Sequence, residues 1–320
     1  MKPESGNKIA SNPNYIIQVS HLTKDFGGGM GIFDVTFHVN KGEVYGFLGP
    51  NGAGKSTTIR HLMGYYKPDS GITYINGKES FSEYYALLKD VGYLPGEPAL
   101  PLYYTGYEFI SEMKALKNIK NDEMLNYLID YFQVDPSLSC KEMSMGMKRK
   151  MAIVVAFMSD PSVLILDEPT SGLDPNMQDK FITFVKNEKK KGKTILLSSH
   201  IFSEVDATCD RISIIKDGKI VSEFEADTLK HSSLKTFVLT FSSLLDITKF
   251  KENVLNDNVK ELNTDENNKM MTVTVDDSDI NELISALSLY NVIDFVEIKE
   301  TLQDYFMSFY KEDLEYQGVK

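Results

Sequence analysis

The stretch Gly49-Pro50-Asn51-Gly52-Ala53-Gly54-Lys55-Ser56 decides the fold. It matches the pattern G-x-x-x-x-G-K-[ST] in full, and it stands between an apolar segment, Glu43 to Leu48, and a segment whose apolar residues recur at helical spacing. The glycines let the backbone curl so that several N–H groups point inward, and the helix start favours negative charge. The stretch therefore predicts a phosphate-binding loop between a strand and a helix of an α/β sheet.

The residues of this loop are candidate ligands of a nucleotide and its metal ion. Lys55 can reach the β- and γ-phosphates, and Ser56 can supply a hydroxyl to Mg²⁺. The residues expected to contact the nucleotide follow one another along the chain: Gly49, Pro50, Asn51, Gly52, Ala53, Gly54, Lys55, Ser56 and Thr57.

A second apolar segment, Val163 to Leu166, ends in the acids Asp167 and Glu168. Together with the apolar segment Thr194 to Leu197 and the helix expected between them, it predicts a βαβ unit of central parallel strands. Carboxylates at the carboxyl edge of such a sheet lie where α/β sites are found. Asp167 can hold Mg²⁺, and Glu168 can polarise an attacking water. An acidic strand end alone is usually just solvated, but beside a phosphate-binding loop the catalytic interpretation is favoured.

Four further features resemble the ABC (ATP-binding cassette) family. Met143 to Lys148, here called the signature segment, resembles the family signature L-S-G-G-Q and, more closely, the S-x-G-M-K variant of exporter-type cassettes. Glu168 to Pro175 resembles the run from the catalytic glutamate into the D-loop. His200 matches the switch histidine, and Phe26 matches the aromatic residue that stacks on adenine. The resemblance covers about residues 15 to 225, with every motif in order.

The resemblance implies an α/β P-loop NTPase fold: an ABC cassette with a mixed-sheet core, an antiparallel β subdomain and an α-helical subdomain. It implies ATP and Mg²⁺ as cofactors and a homo- or heterodimer of cassettes packed head to tail. In such a dimer, Ser144 and Gly146 would touch the γ-phosphate held by the partner's Lys55. The residues that the resemblance assigns fall into three groups: catalytic, Glu168, His200 and Lys55; metal-binding, Ser56 and Asp167; and nucleotide-binding beyond the loop, Phe26, Ser144, Gly146 and Asp174.

Two departures from the family pattern stand out. The usual Y-L-P-Q-E stretch is Tyr93 to Glu97 here, and Gly96 occupies the place of the glutamine that senses Mg²⁺ and the attacking water. Either Glu97 or solvent is expected to take over that task. In the signature segment, Met145 and Met147 replace a glycine and the glutamine, whereas the residues expected to contact phosphate remain.

The chain is predicted to contain a polar N-terminal tail (1–14), an ATP-binding domain (15–230) with a helical subdomain at about 84–160, and a small C-terminal α+β accessory domain (231–320). In the last of these, strand and helix patterns alternate as strand, helix, strand, helix, strand, followed by an amphipathic helix through Leu302, Tyr305, Phe306 and Phe309. Glu300 to Phe306 resembles the S-L-E-D-x-F ending of exporter-type cassettes.

Composition limits the remaining possibilities. With 34 basic and 46 acidic residues the net charge is −12, so no nucleic acid is expected as a partner. The two cysteines, Cys140 and Cys209, are far apart and predict buried free thiols in a reducing compartment. The richest apolar stretch, Met151 to Met158, is too short to span a bilayer.

These observations favour the ATPase subunit of a transporter that exports its substrate through a separate integral membrane permease. The expected location is cytoplasmic, peripheral on the inner face of the cell membrane. Two alternatives stay open: a soluble ABC ATPase of translation or DNA maintenance, and a regulatory cassette that binds ATP without a permease. The single cassette and the acidic balance argue against the first, and intact Lys55, Asp167, Glu168 and His200 argue against the second.

Overall fold

The computed structural model describes residues 11–230, 234–256, 258–298, 301–307 and 309. They fall into two compact units that divide between Ala226 and Asp227, and each unit is described by itself. Residues 1–10 of the predicted tail, residues 231–233 of the predicted accessory domain, and Lys299 and Glu300 of the predicted C-terminal strand and motif lie outside the described residues.

The first unit contains ten strands and seven helices within its described part. In chain order they are β1 (Tyr15–Gly27), β2 (Met30–Asn40), β3 (Val44–Leu48), α1 (Lys55–Leu62), β4 (Ser70–Ile75), β5 (Lys78–Glu79), α2 (Tyr84–Asp90), β6 (Val91–Leu94), α3 (Gly106–Lys117), α4 (Glu123–Phe132), α5 (Met145–Phe157), β7 (Val163–Asp167), α6 (Pro175–Lys190), β8 (Thr194–Ser199), α7 (Phe202–Thr208), β9 (Arg211–Lys216) and β10 (Lys219–Glu225). A short helix, α8 (Ala226–Lys230), contains the boundary between the units.

Two sheets form the framework of this unit. The mixed sheet has the strand order β10-β9-β3-β8-β7-β6, parallel from β9 to β6 and antiparallel at β10. Every residue of β3, β7 and β8 is buried. For β7 and β8 this confirms the prediction of central parallel strands from their uniform apolar runs. The second sheet is antiparallel, in the order β2-β1-β4-β5. Helix α1 packs against strands of both sheets, so the phosphate-binding loop is anchored where they meet.

The helical region is smaller than the predicted span of about 84–160. It comprises α3, α4 and α5, because β6 inside the predicted span pairs in parallel with β7 in the mixed sheet. Strand β6 has only four residues, too few to show a periodicity of its own within a mostly helical pattern. Aromatic side chains of this region pack on α6: Phe132 and Phe157 lie with ring centroids 5.3 and 4.9 Å from that of Phe184.

Within its described part, the second unit has a four-stranded antiparallel sheet and two helices that connect its strands. Its elements are β11 (Leu234–Phe241), α9 (Leu244–Asn253), β12 (Val259–Asp265), β13 (Met270–Asp276), a single 3-10 turn (Asp277–Asp279), α10 (Ile280–Leu287) and β14 (Val292–Ile298). The strand order β12-β13-β11-β14 and the sequence βαββαβ define a ferredoxin-like arrangement. Phe241, Phe250 and Leu283 belong to its buried core.

One strand of this unit is absent from the sequence prediction. In β12 only Val259 is fully buried and most other side chains are exposed, so the strand lacks an apolar pattern. The remaining strands and helices agree with the prediction, and residues 302–307 are helical as expected.

Two further expectations concern the described residues. Both cysteines are free and buried. No helix among the described residues combines the length and apolar character needed to cross a membrane.

Candidate active site

The phosphate-binding loop connects the buried strand β3 to α1. Gly52 and Gly54 have φ angles of 85° and 110°, which L side chains rarely adopt. At Gly54 an added Cβ would also lie 2.7 Å from a methyl group of Ile32, so glycine is required there for space as well. The Ala53 carbonyl accepts a hydrogen bond from the Gly218 N–H at 3.0 Å, which fixes the loop against the turn before β10. The loop therefore has the shape that its sequence predicts.

Lys55, Glu168 and His200 are in direct contact. The Lys55 ammonium group is buried and donates hydrogen bonds to the carbonyl oxygens of Gly49 (2.6 Å) and Pro50 (3.1 Å). It also lies 3.0 Å from Glu168 Oε1, while Glu168 Oε2 lies 2.5 Å from His200 Nδ1. The three predicted catalytic side chains thus form one chain of polar contacts.

Glu168 has an unusual backbone conformation. Its φ is 49°, in the left-handed region, and its N–H donates to the Ser198 carbonyl at 3.0 Å. Non-glycine residues in that region cost on the order of 1–3 kcal/mol and concentrate at functional sites. The conformation turns the chain at the end of β7, so that the side chain meets Lys55 and His200.

The candidate metal ligands fit a magnesium ion. Asp167 Oδ1 accepts a hydrogen bond from Ser198 Oγ at 2.5 Å, because Asp167 and Ser198 are paired between β7 and β8. Ser56 lines the same cleft as Asp167. A hydroxyl, a carboxylate and phosphate oxygens form the kind of oxygen donor set that Mg²⁺ prefers.

A cleft of about 880 Å³ brings these groups together. Five of the predicted site residues line it: Asn51, Ser56, Asp167, Glu168 and His200. Large apolar and aromatic side chains also line it: Tyr65, Tyr93, Leu100, Phe109 and Met113. The predicted catalytic groups therefore share one cleft with apolar side chains.

A buried acid that the sequence did not single out lies next to this centre. Glu204, in α7, accepts a hydrogen bond from Ser199 Oγ at 2.6 Å. Burial raises the pKa of Glu204 to about 7, against the effect of hydrogen bonds from Ser199 and Thr170. Glu204 thus holds the residue that precedes His200 in place.

Outside the phosphate-binding loop, four predicted nucleotide ligands, all in the described part of the chain, do not line the cleft: Phe26, Ser144, Gly146 and Asp174. The side chain of Phe26 is 50% exposed and meets Tyr66 edge-on, with ring centroids 6.1 Å apart. Asp174 caps α6 by accepting a hydrogen bond from the Met177 N–H at 3.0 Å. The assignment of these residues to nucleotide binding stays a prediction.

The signature segment packs on the segment that precedes α6. Ser144 caps α5, accepting from the Met147 N–H at 3.3 Å. A Cβ added to Gly146 would lie 3.0 Å from the Gly172 carbonyl oxygen, and one added to Gly172 would lie 3.2 Å from Met145 Cγ. Ser144 and Met145 are exposed, so this end of α5 is open to solvent.

Arg149 is a buried residue near the cleft that was not predicted from the sequence. It is 2% exposed, and its guanidinium contacts the main chain of two segments that line the cleft. Burial lowers the pKa of Arg149, while the carboxylates of Asp167 and Glu168 act in the opposite direction. Arg149 lies between two other basic residues, Lys148 and Lys150, so the local sequence does not distinguish it.

Comparisons with known proteins agree with this geometry. A sequence model of the family described as ABC transporter matches residues 32–171. The chain is 33% identical over 209 residues to an uncharacterized ABC transporter ATP-binding protein, YhcH, of Bacillus subtilis (strain 168), covering 64% of this chain and 68% of YhcH. It is 34% identical over 223 residues to the bacitracin transport ATP-binding protein BcrA of Bacillus licheniformis, covering 69% of this chain and 73% of BcrA. A solved ATP-binding subunit of an ABC transporter matches with a TM-score of 0.62 and 31% identity, covering 67% of this chain and 92% of that one.

The two sheets, the phosphate-binding loop and the acids at the end of β7 define an ATP-binding cassette. The chain belongs to the family of ABC transporter ATP-binding proteins. It is an ATPase subunit of a transporter, and its cofactor is ATP.

Proposed function

We propose that this chain powers export through a separate integral membrane permease, as one of two cassettes, identical or different, that bind ATP between them at the inner face of the membrane. The contact of Glu168 with both Lys55 and His200, beside Asp167 and Ser56, carries the proposal for hydrolysis. Export is supported by relatives named for bacitracin transport and Nod factor export.

Each residue has a role in this proposal. Lys55 and the main-chain N–H groups of the loop bind the β- and γ-phosphates, and Ser56 and Asp167 hold Mg²⁺, which neutralises phosphate charge. Glu168 orients and polarises the attacking water, with His200 holding its carboxylate. Phe26 stacks on adenine, and Asp174 contacts the nucleotide at the cassette interface. Ser144 and Gly146 of one cassette contact the γ-phosphate in the other, because a helix start attracts anions.

The apolar part of the cleft is the proposed docking surface for the permease. Between the cleft residues Leu100 and Phe109, two further aromatic residues of the chain are exposed: Tyr103 is 95% exposed and Tyr107 is 60% exposed. Large exposed apolar surfaces on proteins mark interaction sites. A helix of the permease that docks here would lie beside Gly96 and Glu97, which line the same cleft as Glu168.

Photo-crosslinking tests this surface. With a benzophenone amino acid in place of Tyr103, we expect the full chain in native membranes to crosslink to an integral membrane protein. The matched control is Lys219, which is exposed on β10 at the opposite edge of the mixed sheet from β6. Crosslinks to soluble proteins alone, or equal crosslinking from both positions, would contradict the proposed docking surface.

Glu97 is proposed to take over the task of the missing glutamine. It is exposed, lines the cleft, and follows Gly96, which has no side chain to reach water. We expect Glu97→Ala to lower ATPase turnover by about tenfold or more, given what positioned acids contribute to proton transfer, and to leave nucleotide affinity nearly intact. The control is Glu142→Ala, an exposed acid outside the cleft. Unchanged turnover in Glu97→Ala would assign the task to solvent or to the permease.

A further inference from the structure

Arg149 connects the middle of α5 to two separate loops. Its Nε donates to the Ser171 carbonyl at 3.1 Å, Nη1 donates to the Pro95 carbonyl at 2.7 Å, and Nη2 donates to the Gly96 carbonyl. No carboxylate among the described residues forms an ion pair with it, so main-chain oxygens are its bonding partners. The planar guanidinium, with donors in a fixed fork, suits this simultaneous binding of several oxygens.

Both loops border the hydrolytic centre. Gly96 and Ser171 line the same cleft as Asp167 and Glu168. The Ser171 N–H donates to the main-chain carbonyl of Glu168 at 3.1 Å. Through Ser171, hydrogen bonds therefore connect the guanidinium to the main chain of Glu168, which carries the proposed water-activating carboxylate.

The loop at Gly96 lies directly on the proposed metal ligand. A Cβ added to Gly96 would be 3.0 Å from Asp167 Oδ2 and 3.3 Å from Asp167 Cγ. That separation is shorter than an ordinary van der Waals contact, so the main chain of the loop approaches the carboxylate closely. Arg149 holds the same loop through the carbonyl oxygens of Pro95 and Gly96.

We propose that Arg149 is a positioning residue that fixes the 95–96 loop and the Ser171 turn around Asp167 and Glu168, so that a shift of α5 moves both loops together. Arg149 acts through the main-chain carbonyl groups that it contacts. Because α5 begins at the signature segment, the same side chain links the cassette interface to the hydrolytic centre of its own chain. The inference rests on the roles proposed above for Asp167 and Glu168.

Substitution of Arg149 tests the inference through kcat and KM measured separately on the full chain. We expect Arg149→Gln to lower kcat by about tenfold or more, since small misplacements of catalytic groups cost that much, with the KM and the Kd for MgATP nearly unchanged. Arg149→Lys, which keeps the charge and some hydrogen bonds, should recover part of kcat. The control is Lys150→Gln, the next residue of α5, whose Nζ donates to the Gln133 carbonyl away from the cleft.

Gly96→Ala perturbs the same loop without removing a buried charge. Its backbone needs no left-handed φ, so only the lack of space opposes alanine. We expect Gly96→Ala to lower kcat in the wild-type background and to cost less in the Arg149→Lys background, where the loop can retreat; such non-additivity measures coupling.

Three results would overturn the inference. They are wild-type kcat in folded Arg149→Gln, wild-type kcat in Gly96→Ala, or a rise in the KM of Arg149→Gln as large as the fall in its kcat. Glu168→Gln distinguishes this failure from failure of the proposed function. If Glu168→Gln loses hydrolysis while the Arg149 and Gly96 variants do not, the proposed catalytic roles stand and the positioning role falls.

Discussion

Glu168→Gln is expected to slow ATP hydrolysis by about 100-fold or more, the lower end of what general-base catalysis contributes. The amide keeps the size of the side chain but cannot accept a proton from the attacking water. ATP binding should persist, because removal of the carboxylate also releases Lys55 from its 3.0 Å ion pair with Glu168. The variant should therefore accumulate an ATP-bound dimer of cassettes.

Single-turnover phosphate release and size-exclusion chromatography with and without MgATP measure both effects. Glu142→Gln is the control, since Glu142 is exposed and does not line the cleft. Wild-type turnover in Glu168→Gln would remove Glu168 from the catalytic role. Slow turnover without a trapped dimer would support the catalytic role of Glu168 but would argue against ATP bound between two cassettes.

Lys55→Ala is expected to abolish measurable ATP binding. Hydrogen bonds to charged groups contribute about 1.5–3 kcal/mol each, so losing the ammonium group should weaken affinity by roughly 100-fold. The loss is larger here because Glu168, whose side chain is 15% exposed, would keep its negative charge beside the phosphates without the lysine that faces it. Both the missing attraction and the added repulsion act against the nucleotide.

Isothermal titration calorimetry with MgATP measures this change, with thermal unfolding as the check on folding. Lys41→Ala is the matched control, because Lys41 is exposed in the turn between β2 and β3. Binding of ATP at near wild-type affinity by Lys55→Ala would contradict the role of Lys55. The double variant Lys55→Ala, Glu168→Gln should recover part of the affinity if repulsion by Glu168 contributes.

The fold and the site could be predicted from the sequence wherever the deciding residues are close together in the chain. The phosphate-binding loop carries its glycines, its lysine and its hydroxyl in eight consecutive positions, and the acids of β7 follow a run of apolar residues directly. The uniform apolar runs of β7 and β8 likewise predict their central place in the mixed sheet. Composition and local pattern thus determine most of the first unit and the class of site.

Features that depend on contacts between distant segments could not be predicted in the same way. Arg149 and Pro95 are 54 positions apart, and nothing in either segment indicates that the side chain is buried against those carbonyls. The contact of Lys55 with Glu168 depends on how β3 and β7 are ordered in the sheet. Strand β12 was missed because its side chains are mostly polar, so pairing with β13 rather than burial keeps it in place.

The close packing of Gly146 on Gly172 has a consequence for protein engineering. Gly172 has a φ of 80° and faces Met145, while Gly146 leaves no room for a side chain against the Gly172 carbonyl. A signature transplanted from another cassette would bring its own residues to 145 and 146 but would meet a turn shaped for methionine and glycine. Chimaeras of this protein should therefore exchange residues 143–148 and 168–175 as one block, and natural variation at these positions should be concerted.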